Sequence, residues 1–223
     1  MFKEIVINHQ GHELRGHMMN FGETAKAWII FAHGSGSSHR SQRNNWVAQE
    51  LNKQGYATLL FDLLTAEEDN IYLNRFDIPL LAERLIAATS WLVNTTEYHG
   101  EKIGYFGAST GAAAALVAAS KDIFTSQIFA VVSRGGRPDL APKENLNDVT
   151  VPTLLIVGGH DGEVIKLNER AHSELPNAKV VIVPGATHLF EEKGAMEEVV
   201  RLSSEWFDTH LDRADVVAFI NAP

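Results

Sequence analysis

Six short, nearly unbroken apolar runs punctuate the chain, at 27–32, 57–61, 103–106, 128–132, 153–157 and 180–183. They are rich in Val, Ile, Leu and Phe and lack the in–out alternation of a strand with one wet face. That is the pattern of parallel strands covered by helices on both sides. Between them lie segments of helical length, at 44–54, 77–95, 109–120, 162–175 and 194–210. In the second of these, Leu81, Leu85, Ala88 and Leu92 share one face, Asp77 stands as N-cap and Pro79 falls in the first turn. Ahead of the first run, 3–8 and 13–19 flank the turn-like His9-Gln10-Gly11-His12, which predicts an antiparallel edge hairpin. The pattern therefore predicts an α/β fold: a mostly parallel central sheet with an antiparallel N-terminal hairpin and helices on both faces. The stretch 133–151 has room for a loop or one short helix but not for a large cap domain, so a functional site should be shallow and open. The tail 212–223, with Val216, Val217, Phe219 and Ile220, fits three readings: an extension of the last helix, packing on the core, or contact with another subunit in a homo-oligomer.

Composition narrows the partners. With 223 residues, 45% hydrophobic and 21% charged, residues 1–223 are expected to form one domain with a sizeable core. A net charge of −9 argues against a nucleic-acid partner, which needs clustered lysine and arginine. The apolar runs are too short to span a bilayer, and Met1-Phe2-Lys3-Glu4-Ile5 has neither an apolar signal region nor a cleavage site, so a cytoplasmic protein with no membrane partner is expected. The absence of cysteine excludes disulfides, thiolate metal sites and a cysteine nucleophile. No metal site is expected either, because there is no H-E-x-x-H and the 10 histidines lack ligand spacing. The loop His33-Gly34-Ser35-Gly36-Ser37-Ser38 is not a phosphate loop: it has no G-x-x-x-x-G-K-[ST], and His39 stands where a third glycine of G-x-G-x-x-G belongs. A small-molecule substrate and no cofactor remain.

The chemistry concentrates after the strand-like runs. Gly107-Ala108-Ser109-Thr110-Gly111 joins the run 103–106 to a helical segment and reads as a nucleophile elbow. A serine raised on so tight a strand-to-helix turn needs glycines at the outer positions, and the next helix turns its N–H groups toward developing negative charge. The same string also occurs in ordinary turns, so an acid and a histidine placed after later strands are needed to distinguish the two. After 153–157 comes Asp161, the expected acid, with Glu163 as fallback and a helix-capping or turn aspartate as the bland alternative. After 180–183 comes His188, the expected general base, with His160 as rival. Asp161 would orient His188, and His188 would take the proton of Ser109. Backbone N–H groups of Ser35, or alternatively Gly34, and of Thr110 would form the oxyanion hole, with His33 bracing the loop. Asp62, at the end of 57–61, reads as a loop brace rather than a catalytic acid.

Two basic pairs should lie near this rim: Arg40 and Arg43, and Arg134 and Arg137 in Ser133-Arg134-Gly135-Gly136-Arg137. They could hold a substrate carboxylate or phosphate. The alternative, more frequent on general grounds, is that they pair with acids such as Asp139 and Glu144.

Elbow, acid and histidine, in that order across nearly the whole chain, resemble the α/β-hydrolase superfamily. The segments 33–38, 107–111, Ser133-Arg134-Gly135-Gly136-Arg137-Pro138-Asp139 and Pro184-Gly185-Ala186-Thr187-His188-Leu189-Phe190, with the capless length, are similar to its dienelactone-hydrolase-like branch. Some members of that branch are fused to a phosphoribosyltransferase domain, which these residues do not contain. Its best-known members use a cysteine nucleophile, and Ser109 in that place favours ordinary carboxylic esters over dienelactone. The resemblance implies a cofactor-independent serine hydrolase acting on small esters through an acyl-enzyme. A thioesterase or acyltransferase would use the same three side chains, and a non-catalytic ligand-binding member would keep only the fold.

Overall fold

Each apolar run becomes a strand because both of its faces have a core to fill. The computed structural model describes residues 2–20, 25–124 and 126–220. Its strands are β1 (Phe2–His9), β2 (His12–Met19), β3 (Trp28–Ala32), β4 (Ala57–Phe61), β5 (Ile103–Ala108), β6 (Ile128–Arg134), β7 (Thr153–Gly158) and β8 (Ala178–Val183). They form one sheet in the order β1-β2-β4-β3-β5-β6-β7-β8. The β1–β2 and β2–β4 pairs are antiparallel and the rest are parallel. The predicted mostly parallel sheet with an N-terminal edge hairpin is therefore the observed one.

The helices are α1 (Gln42–Lys53), α2 (Ala66–Asp69), α3 (Ile78–Val93), α4 (Thr110–Ala119), α5 (Lys143–Asp148), α6 (Gly162–His172) and α7 (Ala195–Ile220). Successive strand residues point to opposite faces. Trp28, Ile30, Tyr105 and Leu155 accordingly join the apolar residues of α3 to α6 in one core, while Ile29, Phe31, Phe106, Leu154 and Ile156 join those of α1 and α7 in a second. An unalternated apolar run is the sequence trace of these two cores. The exception is β8: its apolar run predicts burial on both faces, but as the last strand it has no neighbour on one side, and Ile182 is 39% exposed.

Capping sets several helix boundaries. Ser41 accepts the N–H of Asn44 and starts α1 two residues before the predicted segment, and Asp77 accepts the N–H of Leu80 to start α3 as expected. The backbone of α7 continues to Ile220, so the tail extends the last helix, while residues 221–223 lie outside the described residues. Between β6 and β7 there are only a short 3-10 turn, Pro138–Leu140, and α5, and no separate cap domain is present among the described residues. The apolar pattern predicts nothing for the segment between β4 and α3, which folds as α2 and a 3-10 turn, Tyr72–Phe76. Among the described residues no helix is long and apolar enough to cross a membrane.

Candidate active site

Ser109 stands at the C-terminal end of β5, where open parallel sheets place ligands. Its φ of 50° and ψ of −120° belong to a region that side chains rarely enter. The flanking glycines make this turn feasible. A Cβ on Gly107 would lie 2.4 Å from Ala112 Cα, and one on Gly111 would lie 2.1 Å from the Ala32 carbonyl oxygen. The turn is also tied to the loop after β6: the Ser109 N–H donates to the Arg134 carbonyl at 3.3 Å, and the Arg137 N–H donates to the Ser109 carbonyl at 3.1 Å.

The loops after β7 and β8 bring Asp161 and His188 together. His188 Nδ1 lies 2.6 Å from Asp161 Oδ2, an interaction in which the imidazole N–H donates and the carboxylate accepts. Asp161 occupies the N-cap position of α6, yet its side chain makes no capping bond there. The carboxylate is turned to His188 instead, and Glu163 remains in the first turn of α6. His188 and Ser109 line one cleft of about 340 Å³, together with Gly34, Ser35, Thr110, Phe76, Leu189 and three arginines.

The loop after β3 forms the opposite wall. A Cβ on Gly34 would stand 3.0 Å from Ser109 Cβ, so this backbone passes directly over Ser109. His33 holds it there. Its Nε2 accepts the Leu63 N–H at 3.0 Å, which leaves the proton on Nδ1, and Nδ1 donates to the Gly34 carbonyl at 2.9 Å. Burial holds the His33 pKa below its ordinary value, keeping the ring neutral in this role. Asp62 accepts the His39 N–H at 2.7 Å and faces His39 Nδ1 at 2.8 Å. Burial raises its carboxyl, but the bonds from His39 outweigh that and leave it below the usual carboxylate range. Both residues brace loops.

The four arginines have different surroundings. Arg137 grips Asp139 by two bonds of 2.8 Å, and Arg43 pairs with Glu191 at 2.8 Å. Arg40 lies outside the cleft, beside a groove lined by Glu4, Arg15 and His17. Arg134 lines the cleft and is only 6% exposed. Its Nη2 donates to Asn44 Oδ1 at 3.1 Å, and its guanidinium lies 6.0 Å from the Phe190 ring. Sequence reasoning missed Asn44, Phe76 and Leu189 as cleft residues. Leu189 was within reach, being adjacent to His188, but nothing local in the sequence marks the other two.

Residues 25–205 match the family described as alpha/beta hydrolase domain. A dienelactone hydrolase from Anabaena variabilis is 48% identical, with a TM-score of 0.88 over 94% of this chain and 98% of that one. A Mycobacterium tuberculosis protein named as a phosphoribosyl transferase is 54% identical over 190 residues, which are 85% of this chain but 42% of the relative. The chain thus spans less than half the length of that relative. Est1E from Butyrivibrio proteoclasticus has a TM-score of 0.78 at 16% identity, a likeness of fold. With its sheet order, its strand-end loops and these matches, the chain belongs to the α/β-hydrolase family, in the dienelactone-hydrolase-like branch.

Proposed function

We propose that this hydrolase is a serine esterase that cleaves small carboxylic esters through an acyl-enzyme. The observation that carries the reading is the 2.6 Å pair of His188 and Asp161 opening onto the same cleft as Ser109, which is held in a strained turn. Ser109 Oγ attacks the ester carbonyl carbon while His188 Nε2 takes its proton, and Asp161 fixes the tautomer and stabilises the imidazolium. The carbonyl oxygen becomes an oxyanion beside the N–H groups of Ser35 and Thr110, where losing one donor typically costs about 3 to 4 kcal/mol of transition-state stabilisation. His188 then protonates the leaving alcohol. In the second half it deprotonates a water that attacks the acyl carbon, and Ser109 leaves with its proton restored. A thiol leaving group or a second alcohol in place of water would run through the same atoms, so product analysis identifies the acceptor.

The test is labelling with a fluorophosphonate probe, with the adduct located by peptide mass spectrometry, alongside short-chain chromogenic esters. The expected adduct is on Ser109, and Ser109→Ala should lower kcat by at least about 1,000-fold. Failure of the probe to label, or unchanged turnover by Ser109→Ala, overturns the reading. Because no cap encloses the site, short acyl chains should be preferred, and hydrolysis of long-chain lipids alone would contradict that.

A further inference from the structure

His188 is aimed by a turn that packing alone does not fix. Ala186 and Phe190 are fully buried while Thr187 and Leu189 are exposed, so the core holds the two ends of the turn and not its middle. At the far end Phe190 takes φ 56°, in the left-handed region, and its N–H donates to the Thr187 carbonyl at 3.2 Å. At the near end the Ala186 carbonyl accepts the His160 N–H at 2.9 Å, which ties this loop to the one that carries Asp161. The middle is held by Glu192. One of its carboxylate oxygens accepts the Thr187 N–H at 3.0 Å, and the other accepts the Thr187 hydroxyl at 2.6 Å, the short distance of a charge-assisted bond. These bonds, the hydroxyl's foremost, hold the Glu192 carboxyl below its ordinary pKa, so it is an ionised double acceptor at neutral pH. The Glu192 carbonyl in turn accepts the Ala195 N–H at 3.0 Å, which seats this carboxylate at the start of α7. Neither Thr187 nor Glu192 lines the cleft, so Glu192 reaches the chemistry only through the turn.

Building on the serine-esterase reading, we propose that Glu192 is a positioning residue: by gripping both polar groups of Thr187 it fixes the turn from which His188 reaches Asp161 on one side and the Ser109 proton on the other. General-base transfer needs the imidazole within hydrogen-bond reach of the proton, and a misplacement of about 1 Å can cost about 100-fold in rate. Releasing the turn therefore slows proton transfer in both halves of the reaction and leaves ester binding in place.

A double-mutant cycle on 4-nitrophenyl acetate tests this. Glu192→Ala should lower kcat by about 10-fold to 100-fold, with KM within about 2-fold of wild type. In a His188→Ala background the same substitution should change the residual kcat by less than about 2-fold, because the group it aims is gone. A residue that only stabilises the fold would lower both backgrounds alike. Glu192→Gln should recover most of the rate, since the amide offers an acceptor to the Thr187 N–H and a donor to its hydroxyl oxygen. If Glu192→Ala does not fold, Thr187→Val takes its place in the cycle: it removes only the hydroxyl and should lower kcat by about 3-fold or more. Equal losses in the two backgrounds, no loss in the wild-type background, or a Gln variant as slow as the Ala variant overturns the assignment. The esterase reading fails separately, if His188→Ala alone leaves kcat at the wild-type value. A heavy loss there with none from Glu192→Ala rejects only the role of Glu192.

Discussion

At residue scale, the site is assembled from side chains that give up an ordinary local role. Ser109 holds φ 50° without being glycine, and such backbone costs about 1 to 3 kcal/mol that the surrounding contacts must offset. Ser109→Gly should therefore be more stable than Ser109→Ala by about 1 kcal/mol, since both lose the hydroxyl and only glycine relieves the turn. Urea unfolding of the two variants gives the answer, and equal midpoints would mean that the turn is not strained. Asp161 forgoes capping α6 to reach His188, and Arg134 forgoes a carboxylate partner. The elbow was legible in the sequence because its requirements are local: glycines are needed within two positions of the serine. Partner choice by the arginines was not legible, and only Arg137 takes Asp139, one of the acids nearby in sequence that was named for it.

At element scale, α4 is the most tightly constrained piece of the fold. Every residue from Thr110 to Ala119 is buried, so the helix is covered on all sides and has no amphipathic stripe to read. Its alanines let it sit close to the sheet under the elbow. A larger side chain there must push the helix off β5, and Ala114→Leu is expected to cost about 1 to 3 kcal/mol and to disturb the position of Ser109. Loss of fluorophosphonate labelling rate together with a lower urea midpoint would report both effects, and a variant with wild-type values would show that space remains around α4. The segment between β4 and α3 is illegible in the sequence for the opposite reason. It mixes polar and apolar residues with no clear period, yet a capping box between Thr65 and Glu68 forms α2, and the buried Arg84 pairs with Glu68 at 2.8 Å. The turn after it carries Phe76 to the cleft and leaves Tyr72 and Leu73 exposed.

At the scale of the whole molecule, burial of neutral histidine links the loop after β3 to global stability. His33 and His17 both have pKa values lowered from 6.5, chiefly by desolvation. A base whose folded pKa lies below its unfolded pKa binds fewer protons in the native state. Stability is therefore full above about pH 6.5 and falls as the unfolded chain takes up protons that the fold refuses, by up to about 1.4 kcal/mol per pH unit for each such group. Asp62 and Glu68, whose pKa values are lowered from 3.8 and 4.5, add a second loss at more acid pH, as they are protonated through their folded values. His33→Gln should be destabilised at about pH 8 and lose less than wild type on acidification to about pH 5, so that the gap between their urea midpoints narrows. A gap independent of pH would show that His33 titrates normally.

The sequence by itself determined the sheet, its hairpin, the elbow and the order in which serine, acid and histidine succeed their strands. Those features rest on rules that act within a few residues: unbroken apolar runs, helix capping, and the space a turn allows. The tertiary structure alone decided which groups meet. Asp161 and His188 are 27 positions apart, Arg134 and Asn44 are 90 apart, and Arg43 and Glu191 are 148 apart. Pairing over such separations depends on strand order and helix packing, which bring the ends of distant strands to one rim and decide which charges keep water and which lose it.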